Sequence, residues 1–501
     1  MSETQNKYDV VIVGSGLGGL VSGAIFAKKG KKVCVLEKHN QIGGNLQVFK
    51  RNGCSFSAGM HYAGTLDKGQ TVYKIFNYLG IYKDLKIKKL DVNSFEKIYI
   101  GDREYSYSMG MNNFKQNLIN YFPEEKIAIE KYCKKLDEVW NYSDLLNLRK
   151  LNFEEMPLFE EYKENAYQYI NSITDNDELR GVLAATNGLY IGNKEKTPLS
   201  IHANINNFYI KSAWRIAEDG SNMSNLLEKV IVENGGTVLI NKEVTKLNFK
   251  NNIVESAEVN NKEEYFGSYF ISNIHPNLTF NLVDEKKFRK AYINRIKSLE
   301  NSISVFMLFI VLNKREIKHI NSNIYYSETN KVWDNYDYNE KNWPKGYMLY
   351  TTEDKSNKGF AESIVVISMM KFDDVKQWEN TYINKRGDDY LEFKEKKTEK
   401  LLTLVSKKFP DINKSIYKIY TASPLTFRDY TGTPNGSMYG IIKDCNNPLG
   451  TFLSPKTRVP NLLLTGQNIA LHGLLGVIMS SFQTCSVIID VNEVLSEIRE
   501  F

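Results

Sequence analysis

Six histidines, five cysteines and a tight group of glycines are the residues from which chemistry could be built. His39, His61, His202, His275, His319 and His472 are scattered with no H-E-x-x-H, and Cys34, Cys54, Cys133, Cys445 and Cys485 are odd in number with no C-x-x-C. A zinc site, a disulfide framework and metal catalysis therefore lack support, and free thiols suit a reducing compartment. No G-x-S-x-G elbow or S-x-x-K is present, which removes the common serine nucleophiles. The glycines are different. Gly14-Ser15-Gly16-Leu17-Gly18-Gly19 contains a G-x-G-x-x-G, a turn whose backbone amides can receive a pyrophosphate.

The flanking elements supply the context this motif needs. Residues 8–13 (YDVVIV) read as a buried strand, 20–30 (LVSGAIFAKKG) as a helix, and 32–36 (KVCVL) as a second strand ending on Glu37, 18 residues after Gly19. Strand, glycine turn, helix, strand and acid form a dinucleotide-binding fingerprint. Gly14 permits the turn, Gly16 lets a pyrophosphate approach, and Gly19 lets the helix pack on the strand. Glu37 can accept hydrogen bonds from both ribose hydroxyls, which disfavours a 2′-phosphate. Lys38 and a short loop then lead to a second pair, Gly43-Gly44, followed by Asn45.

A second stretch, "NLLLTGQNIALHGLLGVIMSSFQTC" at 461–485, is apolar enough to suggest a membrane span, which needs about 20 such residues. It is broken by Gly466, Gln467, Asn468, His472, Gly473 and Gly476, so a histidine loop or a cofactor cradle are alternatives. Bulk properties narrow the classes. A 501-residue chain implies two or more domains or one large one with insertions, and 42% hydrophobic with 25% charged residues is an ordinary globular balance. The net charge of +6 is dispersed, which makes a nucleic-acid groove a weak reading. The polar N-terminal segment MSETQNKYD carries no secretory pattern, and a cytoplasmic location is expected.

The chain resembles the phytoene desaturase, carotenoid isomerase and retinol saturase family of FAD-dependent oxidoreductases, in particular its bacterial retinol-saturase-like branch. The resemblance runs nearly end to end through "VVIVGSGLGGLVSGAIFAKKGKKVCVLEKHNQIGG", "FKRNGCSFSAGMHYAGTLDKGQ", "DGSNMSNLLEKVIVENGGTVLINKEV", "FISNIHP", "FRDYTGTPNGSMYG" and "NLLLTGQNIALHGLLGV". "GMHYAG", "RDYTGT" and "TGQNIALHG" are its more specific parts. It implies an α/β fold in which a Rossmann-like FAD-binding domain is interleaved with an α+β substrate domain, of the amine-oxidase and glutathione-reductase type. No second G-x-G-x-x-G follows, so a separate NAD(P) domain is not expected. Three positions depart from the family pattern: Asn45 stands where Arg is frequent, Gln467 where an acid is frequent, and Ser57 where Asp is common.

On this reading residues 1–92, 216–298 and 426–501 form the cofactor domain, while 93–215, mainly helical, and 299–425, sheet-containing, form the substrate domain. Strands are expected at 237–240, 242–249, 303–312, 346–352 and 363–370. The resemblance places Gly14, Ser15, Gly16, Leu17, Gly18, Gly19, Glu37, Lys38, Gly43, Gly44, Asn45, Val244, Gly466, Gln467, Gly473, Gly476 and Val477 around FAD. Arg428, Tyr430 and Tyr439 would shape a substrate pocket, with an Arg428–Asp429 pair as the plainer role. His61, Tyr62 and His472 are candidate proton donors, each with structural hydrogen bonding as the alternative.

The implied activity is hydride and proton exchange across a C=C bond of a polyene or isoprenoid lipid, foremost saturation, with desaturation or redox-neutral cis/trans isomerisation as alternatives. Amine oxidation is a weaker option. A non-enzymatic lipid-binding protein of the same fold, similar to the Rab GDP-dissociation inhibitors, is the alternative from another class. The electron donor or acceptor stays open. Phe114, Leu118, Ile119 and Phe122 form an apolar stripe that either packs into a core or dips into the inner face of a membrane to collect lipid.

Overall fold

The computed structural model describes residues 7–151, 162–216, 221–284 and 287–501. The start of the "DGSNMSN" segment, Asp219 and Gly220, lies outside them.

Two seven-stranded sheets organise the chain. The first runs Thr237–Leu239, Val33–Leu36, Lys7–Val13, Glu263–Ser272, Ile253–Val259 and Val244–Lys250, with Leu462–Leu464 paired to Glu263–Ser272. Its strands at 7–13, 33–36 and 237–239 are parallel, and Leu462–Leu464 also pairs parallel. The helix Leu17–Lys28 makes the first crossover, and Val10 to Ile12 beneath it have no exposed surface. Parallel strands buried on both faces read as unbroken apolar runs. That explains why YDVVIV and KVCVL do not alternate.

The second sheet runs Ile416–Ala422, Ser304–Leu312, Ala361–Met370, Gly346–Glu353, Asn323–Ser327, Glu96–Ile100 and Arg103–Tyr107. The expected strands at 303–312, 346–352 and 363–370 lie together in its middle. All nine residues of Ser304–Leu312 are buried, so this too is a sheet covered on both faces. One feature goes beyond the expectation of a mainly helical part. Residues 93–215 do hold the helices Met111–Tyr121, Lys126–Tyr142 and Leu199–Lys211, but they also send the hairpin 96–107 into the second sheet.

A three-stranded sheet of Tyr62–Gly64, Ala213–Ile216 and Ile87–Lys89 completes the frame that carries the site. Phe114, Leu118 and Phe122 are buried in a core with Ile119 packed against it, so that stripe is interior rather than membrane-facing. No helix among the described residues is long and apolar enough to cross a membrane. The oily run resolves into the strand Leu462–Leu464, a loop, and the 13-residue helix Gly473–Cys485.

Candidate active site

A cavity of about 540 Å³ lies at the carboxyl ends of the first sheet's parallel strands, the position at which this topology binds ligands. The chain leaves Lys7–Val13 through Gly14 and enters Leu17–Lys28 with no side chain capping the helix. First-turn amides of an uncapped helix are anion donors backed by the helix dipole, and Gly16, Leu17 and Gly18 line the cavity. Gly19 does not. A Cβ there would sit 2.2 Å from the Gly14 carbonyl oxygen, so its role is helix-to-strand contact.

Ser15 is also off the wall. Its amide (3.0 Å) and Oγ (2.6 Å) donate to Glu37 Oε2, and the His39 amide donates to Oε1 at 2.9 Å. A carboxylate has about four acceptor sites, so these three leave roughly one for a ligand, fewer than the expected capture of both ribose hydroxyls requires. The Gly43 amide donates to the Ser15 carbonyl (3.1 Å) and to Ser15 Oγ (3.2 Å). Gly43 has φ of 111°, a left-handed conformation that favours glycine, and a Cβ on Gly44 would lie 3.1 Å from Gly16 Cα. The second glycine pair is thus clamped on the first.

Lys38, Gly43, Gly44, Asn45, Val244, Gly466, Gln467, Gly473 and Val477 all line the same cavity. Gly476 stands behind it, where a Cβ would meet the Leu471 carbonyl carbon at 2.5 Å. The helix Gly473–Cys485 also starts without a side-chain cap, and Gly473 and Leu474 bring its N-terminus to the wall. Ser481 Oγ donates to the Gly18 carbonyl at 3.2 Å and ties this helix to the first.

A smaller cavity of about 100 Å³ adjoins the larger one, and His61, Tyr62, Leu189 and Tyr439 line both. Ile98, Val305, Met348 and Ile367 give it an apolar wall in which, among the described residues, Lys345 is the single charged side chain. Tyr439 therefore stands where a substrate pocket is expected. Arg428 and Tyr430 do not: they border the larger cavity near Lys38 and His39, because the helix Pro424–Thr431 carries them to its rim. Tyr430 is half exposed there, and Arg428 pairs with Asp429 at 2.8 Å.

At the junction the two histidines are held neutral. Burial, reinforced by the Arg215 charge, lowers the His61 pKa to about 3, and its Nδ1 lies 3.0 Å from Tyr350 Oη. Burial likewise lowers His472 to about 4. Its Nε2 is 3.0 Å from the Leu189 carbonyl, to which it donates, and its ring stacks on Tyr439 at 4.1 Å. Neutral imidazoles are poor general acids, so both fit structural roles better than proton donation. Tyr62 stacks on Tyr209 (4.2 Å between centroids), and its Oη is 2.5 Å from Glu96 Oε1 and 2.9 Å from Tyr325 Oη. Burial raises Glu96 to about 8 against the opposing pull of the Tyr62 hydrogen bond.

Sequence reasoning missed three members of this site. Glu96 was legible in part, since the alternation of EKIYI puts it on the same inward face as Ile98 and Ile100. Asn273, within "FISNIHP", donates to the Gly14 carbonyl at 3.3 Å, and Cβ atoms on Gly16, Gly18 or Gly466 would each lie within 2.8 Å of its amide. Lys443, buried and with its pKa lowered by that burial to about 7, donates to the carbonyls of Thr451, Asn468 and Ile469 at 2.8, 2.9 and 3.1 Å, bracing the loop after Gln467. Neither carried a local signal.

Residues 12–79 match the NAD(P)-binding Rossmann-like domain family. The chain is 26% identical to an all-trans-retinol 13,14-reductase of Danio rerio, over 98% of this chain and 87% of that one. It is 23% identical to the chloroplastic prolycopene isomerase 2 of an Oncidium hybrid cultivar, over 87% of this chain and 76% of that one. Among solved structures, putrescine oxidase bound to putrescine shares the fold with a TM-score of 0.63 at 12% identity, covering 96% of this chain and 98% of that one. The chain is thus similar along most of its length to a retinol reductase and to a prolycopene isomerase, which agrees with the resemblance of its motifs to the phytoene desaturase, carotenoid isomerase and retinol saturase family.

Proposed function

We propose that this protein is an FAD-dependent oxidoreductase that saturates a C=C bond of a polyene or isoprenoid lipid. The observation that carries the reading is the junction: an apolar pocket adjoins the larger cavity, and His61, Tyr62 and Tyr439 line both. The cavity's donor set fits FAD. Gly16 to Gly18 and the helix behind them suit the pyrophosphate, Glu37 a ribose hydroxyl, and Gly466-Gln467 with the second uncapped helix the flavin end. When bound, FAD supplies hydride exchange. The helix Gly473–Cys485 contributes positive potential at its N-terminus, which favours negative charge developing beside it. Of the three candidate donors only Tyr62 combines a position on both cavities with a hydrogen-bonded acid behind it.

The cofactor and substrate domains are taken as 1–92, 216–298 and 426–501 against 93–215 and 299–425. A cationic amine would want a carboxylate in the pocket wall, and none lines it among the described residues, which supports a polyene over an amine. The test is anaerobic. Flavin-reduced protein is mixed with all-trans-retinol or a carotenoid while the polyene absorbance is followed. With the reduced protein saturation shortens the conjugated system and isomerisation leaves its length unchanged; desaturation, which needs a hydride acceptor, is tested in parallel with flavin-oxidised protein and lengthens it. Protein that binds no flavin would overturn the enzymatic reading in favour of a lipid carrier.

A further inference from the structure

Glu96 has 1% of its surface exposed and lines neither cavity, yet it sits directly behind two residues that do, Tyr62 and Tyr325. Its carboxyl group meets Tyr62 Oη at 2.5 Å, and Tyr62 Oη meets Tyr325 Oη at 2.9 Å. The titratable groups that interact with it from the packed elements are Tyr62, Tyr107, Tyr209 and Tyr325, all phenols, and among the described residues no lysine, arginine or histidine charge offsets its burial. A carboxylate without a cation in such surroundings is costly, whereas a neutral acid is accommodated. Glutamine or an apolar residue would fill the same space without carrying a transferable proton.

We propose that Glu96 is the proton reservoir of the site, a neutral carboxylic acid that passes its proton to Tyr62 as the Tyr62 phenol protonates the substrate carbon. This rests on the saturase reading above. The Tyr62 O–H bond breaks as a C–H bond forms, the Glu96 O–H bond breaks as the phenol is restored, and Glu96 is left as a carboxylate. The neighbouring carbon takes its C–H bond as hydride from the reduced flavin invoked above, so that C=C, hydride and proton together give CH–CH. Glu96 is reprotonated from solvent once product leaves. In this scheme the Tyr62 phenol is the group that meets the substrate, and Glu96 acts through it as a proton-supplying residue.

The test uses the full-length, flavin-loaded protein with infrared and single-turnover measurements on wild type, Glu96→Gln and Tyr62→Phe. The expected wild-type spectrum at neutral pH contains the carbonyl band of a protonated carboxyl group that vanishes in Glu96→Gln and shifts in Tyr62→Phe. The rate at which polyene reoxidises the reduced protein should fall about 100-fold in Glu96→Gln, the lower end of general-acid effects. It should also decline in wild type as pH rises through about 8 and be flat in the variant. Absence of the band, or an unchanged rate and pH profile in Glu96→Gln, overturns the proposal. If wild type consumes no polyene, the saturase reading fails and the donor role with it, while the band still decides where the proton resides. Should Glu96→Gln not fold, the band in wild type and its loss near pH 8 support the proposal, and its absence refutes it.

Discussion

The unusual burial of Glu96 makes its cost measurable in stability as well as in rate. The carboxyl pKa moves from an ordinary 4.5 to about 8 in the fold, with desolvation as the largest cause. A folded-state pKa above the unfolded one means that between these values the folded chain keeps a proton that the unfolded chain has released. Stability therefore falls as pH rises across the window. At 1.36 kcal/mol per pH unit, wild type should lose about 3 kcal/mol between pH 4.5 and 7, approaching about 5 kcal/mol above pH 8. Glu96→Gln has no proton to hold and keeps a hydrogen-bonding group beside Tyr62, so it should lack that slope. Urea or thermal midpoints of the two proteins across pH 5 to 9 provide the assay, with the variant gaining on wild type as pH rises. Parallel curves would refute the reasoning, because they would mean that the folded protein holds Glu96 as a carboxylate at no extra cost.

Glu37→Ala strands the donors of Ser15 and His39 as well as removing a ribose partner. At about 1–3 kcal/mol per buried unsatisfied group, FAD affinity should drop at least roughly tenfold in an equilibrium titration of apoprotein. Gly19→Ala drives a methyl group against the Gly14 carbonyl oxygen, 2.2 Å from the ideal Cβ. It should lower stability by about 1–3 kcal/mol and reduce retained flavin, measured by thermal unfolding and by absorbance of the purified protein. Met348→Trp fills the apolar pocket away from the cofactor-sized cavity. Polyene turnover should fall about tenfold or more while flavin content stays at the wild-type level, and equal loss of both would place Met348 in the wrong cavity.

Local physics made much of the cofactor-sized half readable. Unbroken apolar runs mark strands covered on both faces, and the spacing of Gly14, Gly16 and Gly19 marks a turn feeding a helix, so sheet, crossover and uncapped N-terminus follow from neighbours in the chain. The breaks at Gly466 and Gly473 likewise separated the last strand from the helix Gly473–Cys485 within a stretch that hydropathy alone would have drawn as one span. Beyond this reach the chain carried weaker signs. The strand at 96–100 shows an inward glutamate by its alternation, but nothing local states that Tyr62, 34 residues earlier, will be its partner.

Protonation and adjacency were decided by the tertiary structure. His61 and His472 look like acid catalysts as residue types, yet their burial, set by elements remote in sequence, keeps both neutral. Asn273 joins the first glycine turn to Gly466 only because parallel pairing brings Lys7–Val13, Glu263–Ser272 and Leu462–Leu464 side by side. The sequence by itself determined where the backbone turns and which faces are apolar, since these depend on residues within a few positions of one another. Which acid lies behind which phenol, and whether it holds its proton, depends on desolvation by the assembled fold, and that quantity exists only once distant segments have packed.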